Sequence, residues 1–234
     1  MLFRSFIAKR ALIVARDIAA LPSGLLPEAV VLAMKPQGME DAAGPYRRFV
    51  SPQSVFLSIA AGRTIAFFER VLGNDAVIVR AMPNTPAAVG RGFTVACPNA
   101  QVSAPQRQLC DRLLASVGEV AWVDDEKLLD PVTAVSGSGP AYVFLLVECL
   151  AQAGVAAGLS ADLALKLARA TVAGSGELLH RSSEQADQLR RNVTSPGGTT
   201  AAALEVLMAK GDGLAELMTK AVAAATRRSR ELAG

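Results

Sequence analysis

The chain has 234 residues with a formal net charge of +3, and 51% of them are hydrophobic. This composition excludes disorder as the main state, and the nearly balanced charge argues against a nucleic-acid partner. Only 5% of the residues are aromatic, and alanine, valine and leucine carry the apolar content. These proportions favour βαβ units and closely packed helices over a β-sandwich.

In the first half of the chain, short apolar runs rich in β-branched residues alternate with helical stretches. We predict helices over 65–72, with Thr64 as the N-cap, and over 104–116. The predicted strands are 29–34, 55–59, 76–80, 93–97 and 119–123. Alternation of strand and helix predicts a parallel, doubly wound sheet.

After Asp130 the pattern changes to alanine-leucine helical periodicity. Pro140 suits the first turn of a long helix, and Ser160 suits the N-cap of a second helix that ends near His180. Further helices are predicted over 183–191, 200–210 and 214–232. The sequence therefore predicts an α/β half and an all-α half that meet within residues 124–138.

One apolar stretch, residues 140–159, is long enough to span a membrane. Glu148 and Gln152 lie in its middle and no basic flank marks an inside end. We interpret this stretch as a buried helix and expect no membrane partner. The N-terminal residues 1–15 contain scattered basic residues and no signal-peptide pattern.

The cysteine and histidine content argues against a metal site. Cys97, Cys110 and Cys149 are far apart, and His180 is the single histidine. This spacing favours neither a zinc site nor a disulfide framework. We interpret the cysteines as buried thiols of a cytoplasmic protein.

Three loops follow predicted parallel strands, at 33–36, 59–62 and 80–86. In open α/β sheets, ligands bind just outside the carboxyl ends of the strands. Each loop by itself is also compatible with ordinary turn chemistry. Three such loops at one edge favour a binding site there.

Two glycine-rich segments each open a predicted helix, at 135–140 and 195–200. The N–H groups at a helix N-terminus can bind a carboxylate or phosphate. An ordinary capping loop at 195–200 and an interdomain hinge at 135–140 remain alternatives. The chain contains no GxGxxG, Walker, HExxH or GxSxG motif, which favours a cofactor-driven reaction such as hydride transfer.

Together these segments resemble the pyrroline-5-carboxylate reductase family, in order as well as in spacing. The resemblance covers roughly residues 11–232. It rests on five stretches: VVLAMKPQ (30–37), SIAAG (58–62), RAMPNTPAAVG (80–90), AVSGSGPAYVF (134–144) and VTSPGGTTAAAL (193–204).

The resemblance implies reduction of 1-pyrroline-5-carboxylate to L-proline in proline biosynthesis, with NADPH or NADH as cofactor. It implies a Rossmann-type cofactor domain over residues 1–125. An all-α domain over residues 126–234 is expected to bind substrate and to form a homodimer or higher homo-oligomer.

The resemblance also assigns residues to the site. The substrate carboxylate is expected at the backbone N–H groups of a loop formed by Ser195, Gly197, Gly198, Thr199 and Thr200. The Thr200 hydroxyl is expected near the imine nitrogen, as a catalytic hydrogen-bond or proton donor. The expected cofactor-binding residues are Ala33, Lys35, Pro36, Ala60, Ala61 and Asn84.

Residues 1–10 match none of the family's opening strand and glycine-rich turn. We therefore expect the chain to lack about one βαβ unit, on the order of 30 residues, which would grip the cofactor pyrophosphate and ribose. One alternative function is a catalytically impaired homologue that retains only dimerisation. A hydroxyacid dehydrogenase is a further alternative, and the 195–200 segment argues against it.

Overall fold

The computed structural model of the chain describes residues 15–34 and 38–233. Five strands form one sheet, and neighbouring strands follow one another in chain order. The strands are β1 (Ala29–Leu32), β2 (Val55–Ser58), β3 (Val77–Met82), β4 (Gly92–Pro98) and β5 (Gly118–Trp122). All five predicted strands are confirmed, while the predictions for residues 1–14 lie outside the described residues.

The first three strands are parallel, and β1 and β2 end level, whereas β3 continues to Met82. Leu32 pairs with Ser58, and Ser58 pairs with Arg80. Every residue of β2 is buried, as expected for a parallel strand covered on both faces. The loops that follow β1 and β2 therefore start side by side at one edge of the sheet.

The prediction of a wholly parallel sheet is wrong at β4, which runs antiparallel to β3. The Asn99 N–H donates to the Ile78 carbonyl at 2.9 Å, and the Phe93 N–H donates to the Asn84 side chain at 2.9 Å. The residue numbers thus rise on one strand as they fall on the other. The connection, residues 83–91, is shorter than a parallel crossover requires.

β5 returns to β4 in the parallel direction, so the sheet is mixed. The Val123 N–H donates to the Ala96 carbonyl at 2.9 Å, and Gly118 lies against Gly92 at the other end. Gly118 has φ +152°, and a Cβ there would overlap the Gly92 carbonyl, so this position requires glycine. The order β1 to β5 contains no reversal among the described strands, unlike the doubly wound arrangement predicted.

Three helices accompany the strands: α1 (Met39–Ala43), α2 (Ile65–Leu72) and α3 (Ala104–Leu114). The predicted start of α2 is confirmed, because the Thr64 hydroxyl accepts from the Phe67 N–H at 3.1 Å. Apolar side chains of α1, α2 and the strands form one core. Its largest fully buried members are Phe56, Phe68, Leu32, Met39, Leu72 and Ile78.

The rest of the chain is helical, as predicted. The helices are α4 (Leu129–Val132), α5 (Gly139–Ala156), α6 (Ala161–Arg181), α7 (Ala186–Asn192), α8 (Thr199–Leu207) and α9 (Leu214–Ala233). Pro140 lies in the first turn of α5. The Ser160 hydroxyl accepts from the Leu163 N–H at 3.4 Å at the start of α6, so both predicted starts are confirmed.

Internal contacts divide the described chain into two compact units. The first comprises residues 15–34, 38–81, 96–115 and 122–126, and the second comprises 82–95, 116–121 and 127–233. The domain boundary between residues 125 and 126 stays a prediction.

The glycine-serine segment at 135–140 is neither an open turn nor a hinge loop. Residues Thr133–Gly137 form one turn of π-helix between α4 and α5, and the Ser138 N–H donates to the Thr133 carbonyl at 2.8 Å. Gly137 lies against Met82, because a Cβ on Gly137 would lie 2.5 Å from the Met82 Cε. Glycine therefore lets this turn approach the residue that ends β3.

The interpretation of α5 as a buried helix is wrong for the single chain, in which no residue of α5 is buried. Phe144 is 62% exposed and Leu145 is 57% exposed. By length and composition alone, residues 126–156 form the one helical run among the described residues that could cross a membrane. A helix that packs against another subunit meets the same criterion.

The structure confirms two of the three predicted buried thiols. Cys97 and Cys110 are buried, whereas Cys149 on α5 is exposed in the single chain. Burial raises the pKa of both buried thiols to about 11, and the carboxylate of Glu126 adds to the shift at Cys97.

We expect Cys97 and Cys110 to resist alkylation by iodoacetamide at pH 8 while the protein is folded. A pKa of about 11, against 9.0 for an ordinary thiol, leaves about a hundredth of the usual thiolate, which is the reactive form. Mass spectrometry of peptides labelled with and without urea measures the protection. Equal labelling of Cys97 in both states would contradict it.

Candidate active site

Two of the predicted cofactor loops meet at the carboxyl ends of β1 and β2. The Ile59 N–H donates to the Leu32 carbonyl at 3.2 Å, which ties the second loop to the end of β1. Ala33 and Ala61 are exposed, whereas Ala60 is only 5% exposed. Ala60 can therefore offer a ligand little beyond its backbone. Lys35 and Pro36 lie outside the described residues.

These loops suit a flat ligand that lies against backbone. The exposed side chains are methyl groups, and Gly62 turns the chain with φ +71°, a conformation that favours glycine. Dinucleotides bind at such strand ends in open α/β sheets.

A partly buried ion pair joins β3 to the segment that precedes α4 and to the start of α2, and it was not predicted from the sequence. The guanidinium of Arg80 lies 2.7 Å from the Glu126 carboxylate, with side chains 6% and 26% exposed. The same carboxylate oxygen accepts from the Ile65 N–H at 2.8 Å, so Glu126 satisfies a free N–H at the start of α2. An arginine ending the apolar run of β3 was the available signal, because a buried charge requires a partner.

Replacing Glu126 with glutamine should destabilise the fold, since it leaves the buried Arg80 cation without its counter-charge. We expect the free energy of unfolding to fall by about 1.5–3 kcal/mol, the usual worth of a hydrogen bond to a charged group. Urea denaturation followed by circular dichroism measures the change. Glu231→Gln is the matched control, because the Glu231 pair with Arg228 is exposed and contributes at most about 1 kcal/mol. Equal effects of the two changes would contradict this account.

The third predicted cofactor loop contains Asn84, which contacts the π-helical turn. The Asn84 Nδ2 donates to the Ser136 hydroxyl at 3.0 Å, and its Oδ1 accepts from the Phe93 N–H at 2.9 Å. Asn84 and Ser136 are both half-buried. Two motifs that are 52 residues apart in sequence thus meet, and the sequence analysis did not assign Ser136 to the site.

The predicted substrate loop opens helix α8. Gly197 has φ +68°, and the Gly198 N–H donates to the Ser195 carbonyl at 3.1 Å. Gly198 occupies the N-cap position and offers no side chain to cap the helix. The backbone N–H groups of the first turn therefore remain available for an anion.

The two threonines of this turn differ in exposure: Thr199 is exposed and Thr200 is half-buried. Ser195 and Gly197 are also exposed. Within residues 15–34 and 38–233, no hydrogen bond joins this loop to Asn84 or Ser136.

A mixed α/β sheet with loops at its strand ends, followed by a helical domain, is an arrangement expected of a nicotinamide-dependent oxidoreductase. A family model described as pyrroline-5-carboxylate reductase dimerisation matches residues 126–232. The pyrroline-5-carboxylate reductase of Pseudomonas aeruginosa is 43% identical over 206 residues, which cover 88% of this chain and 75% of that protein. A Bacillus subtilis pyrroline-5-carboxylate reductase is 36% identical over 216 residues, covering 91% of this chain and 72% of that protein.

Solved structures agree with these relatives. A pyrroline-5-carboxylate reductase from Coxiella burnetii superimposes with a TM-score of 0.82 at 38% identity, covering 88% of this chain and 76% of that one. The Plasmodium falciparum pyrroline carboxylate reductase with NADP bound gives a TM-score of 0.76 at 34% identity. The match covers 88% of this chain and 78% of that one. The chain belongs to the pyrroline-5-carboxylate reductase family.

Proposed function

We propose that this protein reduces the C=N bond of 1-pyrroline-5-carboxylate to give L-proline, with NADPH or NADH as the reductant. Family membership carries this proposal, and the loop at the start of α8 agrees with it. Its uncapped N–H groups suit the carboxylate that the cyclic imine carries. The substrate-binding residues of the proposal are Ser195, Gly197, Gly198, Thr199 and Thr200.

When bound, the nicotinamide supplies the hydride that adds to the imine carbon. A proton adds to the ring nitrogen, which gives the secondary amine of proline. We assign the cofactor to Ala33, Lys35, Pro36, Ala60, Ala61 and Asn84. The chain's contribution is mainly positioning, because holding the imine carbon near the reductant replaces a bimolecular encounter. The backbone N–H groups of Thr199 and Thr200 would orient the ring through its carboxylate, and the Thr200 hydroxyl would donate toward the ring nitrogen.

We further propose that the working form is a homodimer built from the helical domain. The observation that supports it is the exposed apolar surface of α5 and α6. A groove of about 840 Å³ between these helices is lined mainly by apolar side chains. Phe144, Val147 and Leu165 lie along it, and a second copy would remove them from water. We place the reaction in the cytoplasm, which stays a prediction.

A direct spectrophotometric assay tests the function. The purified chain is mixed with NADPH or NADH, and the loss of absorbance at 340 nm is followed with and without 1-pyrroline-5-carboxylate. We expect oxidation only when the imine is present, together with formation of proline.

A thermal-shift measurement separates activity from binding. A cofactor that binds only the folded state at 100 times its Kd stabilises that state by about 2.7 kcal/mol, so the melting temperature should rise with NADPH. A stable dimer that shows neither turnover nor a shift would instead identify a homologue that only dimerises.

A further inference from the structure

The Asn84 side chain is held in an unusual way for its position. Asn84 is the N-cap residue of a short 3-10 helix, Thr85–Val89, yet its side chain makes no capping hydrogen bond. An asparagine at an N-cap ordinarily accepts from an N–H of the first helical turn. Here the Oδ1 accepts from the Phe93 N–H instead, and the Nδ2 donates to Ser136.

These two hydrogen bonds determine the orientation of the Asn84 carboxamide, that is, the positions of its oxygen and nitrogen. A backbone N–H can bond only to the oxygen, so Phe93 sets the Oδ1 position and the Nδ2 must face Ser136. A primary amide has two donors and two acceptor lone pairs. One N–H and one lone pair of Asn84 therefore remain for a ligand, in a defined direction.

The π-helical turn is what brings Ser136 to Asn84. π-helical turns are rare and occur often at functional sites. Gly137 allows the turn to lie against Met82, where a Cβ would come 2.5 Å from the Met82 Cε. The neighbouring pairs Met82–Gly137 and Asn84–Ser136 thus join the end of β3 and the loop after it to the π-helical turn before α5.

We propose that Ser136 is a positioning residue for cofactor binding. Its hydroxyl fixes the Asn84 carboxamide, whose remaining N–H would then donate to bound NADPH or NADH. Ser136 acts through Asn84, so its loss should weaken cofactor binding more than it slows the chemical step. This inference rests on the proposed function, because it assumes that Asn84 faces the cofactor.

Steady-state kinetics of two variants and their combination test the inference. Ser136→Ala removes the acceptor, and we expect the KM for NADPH to rise about five- to tenfold, as for the loss of one hydrogen bond, with kcat changed less than twofold. Asn84→Asp keeps the acceptor for the Phe93 N–H but has no N–H to donate, so its KM for NADPH should rise at least as much.

The double variant distinguishes one hydrogen-bonded unit from two separate effects. If Ser136 acts through Asn84, adding Ser136→Ala to Asn84→Asp produces no further rise in KM. Ser138→Ala is the matched control in the same motif and should leave the KM for NADPH unchanged. Effects that multiply in the double variant, or a KM within twofold of wild type for Ser136→Ala, would overturn the inference.

Failure of the proposed function has a different signature, namely a wild-type chain that does not turn over the imine. Titration calorimetry with NADPH then provides the same comparison through the Kd. A wild-type chain that binds NADPH with Kd values ordered as above supports the role of Ser136 without turnover. Absence of NADPH binding by the wild-type chain overturns it.

Discussion

Replacing Thr200 with alanine should lower kcat about 10- to 100-fold, which is at or below the lower limit of what a positioned proton donor contributes. Thr200 lies in the first turn of α8 and is half-buried. In the described part of the chain its hydroxyl makes no hydrogen bond, so it is available to the ring nitrogen of the imine. The side chain does not cap the helix, and its removal should leave the fold intact.

Two further variants define the role of Thr200. Thr200→Ser keeps the hydroxyl and should retain most of the wild-type kcat. Thr219→Ala is the matched control, because the Thr219 hydroxyl bonds to the Ala215 carbonyl at 2.8 Å on the exposed side of α9. A Thr200→Ala variant with wild-type kcat and an unchanged melting temperature would show that Thr200 has no catalytic role.

Local signals predicted most of the elements. The caps at Thr64 and Ser160, the proline in the first turn of α5 and the apolar strand runs each act within a few residues. Their side chains bond to N–H groups of the next turn, so the sequence contains both partners. The helical second half followed equally well from its periodicity.

The direction of β4 could not be predicted from such local signals. An apolar strand has the same pattern in either direction, and only the short 83–91 connection distinguishes them. That connection contains Thr85 and Pro86, which open a 3-10 turn, and it was interpreted as a ligand-binding loop or an ordinary turn. Counting its residues against the length of a crossover would have predicted the antiparallel pairing.

The same distinction applies to the site residues: the placement of neighbouring loops could be predicted, whereas contacts between residues far apart in sequence could not. The loops at the ends of β1 and β2 could be placed at one sheet edge because consecutive parallel strands pair. The contacts of Glu126 with Arg80 and of Ser136 with Asn84 join residues 46 and 52 positions apart. Neither pair has a sequence pattern that specifies its partner, although the arginine within an apolar strand required one.

The expectation that α5 is buried within the single chain was wrong for a physical reason. An apolar helix is expected to be buried, but its hydropathy does not indicate whether it packs against the same chain or against another chain. In the single chain, Phe144, Leu145 and Leu146 of α5 are 62%, 57% and 46% exposed. Contiguous apolar surface of this kind marks an interaction site, and the match of residues 126–232 to a dimerisation domain indicates the same.

Replacing Phe144 with glutamate should therefore dissociate the proposed dimer. In a twofold dimer the change occurs twice, and each copy loses about 2 kcal/mol of apolar burial. The sum of about 4 kcal/mol corresponds to about a thousandfold rise in the dimer Kd, and the desolvation of two carboxylates adds to it. Sedimentation velocity across a range of protein concentrations measures this shift.

Leu26→Glu is the matched control for this variant. Leu26 is 82% exposed before β1, so the same kind of change there should leave the dimer unaffected. Activity measured on the same samples then tests whether the site depends on the partner. If substrate and cofactor residues come from different subunits, activity should fall with the dimer fraction, whereas a monomeric Phe144→Glu variant with full turnover would show that one chain forms a complete site.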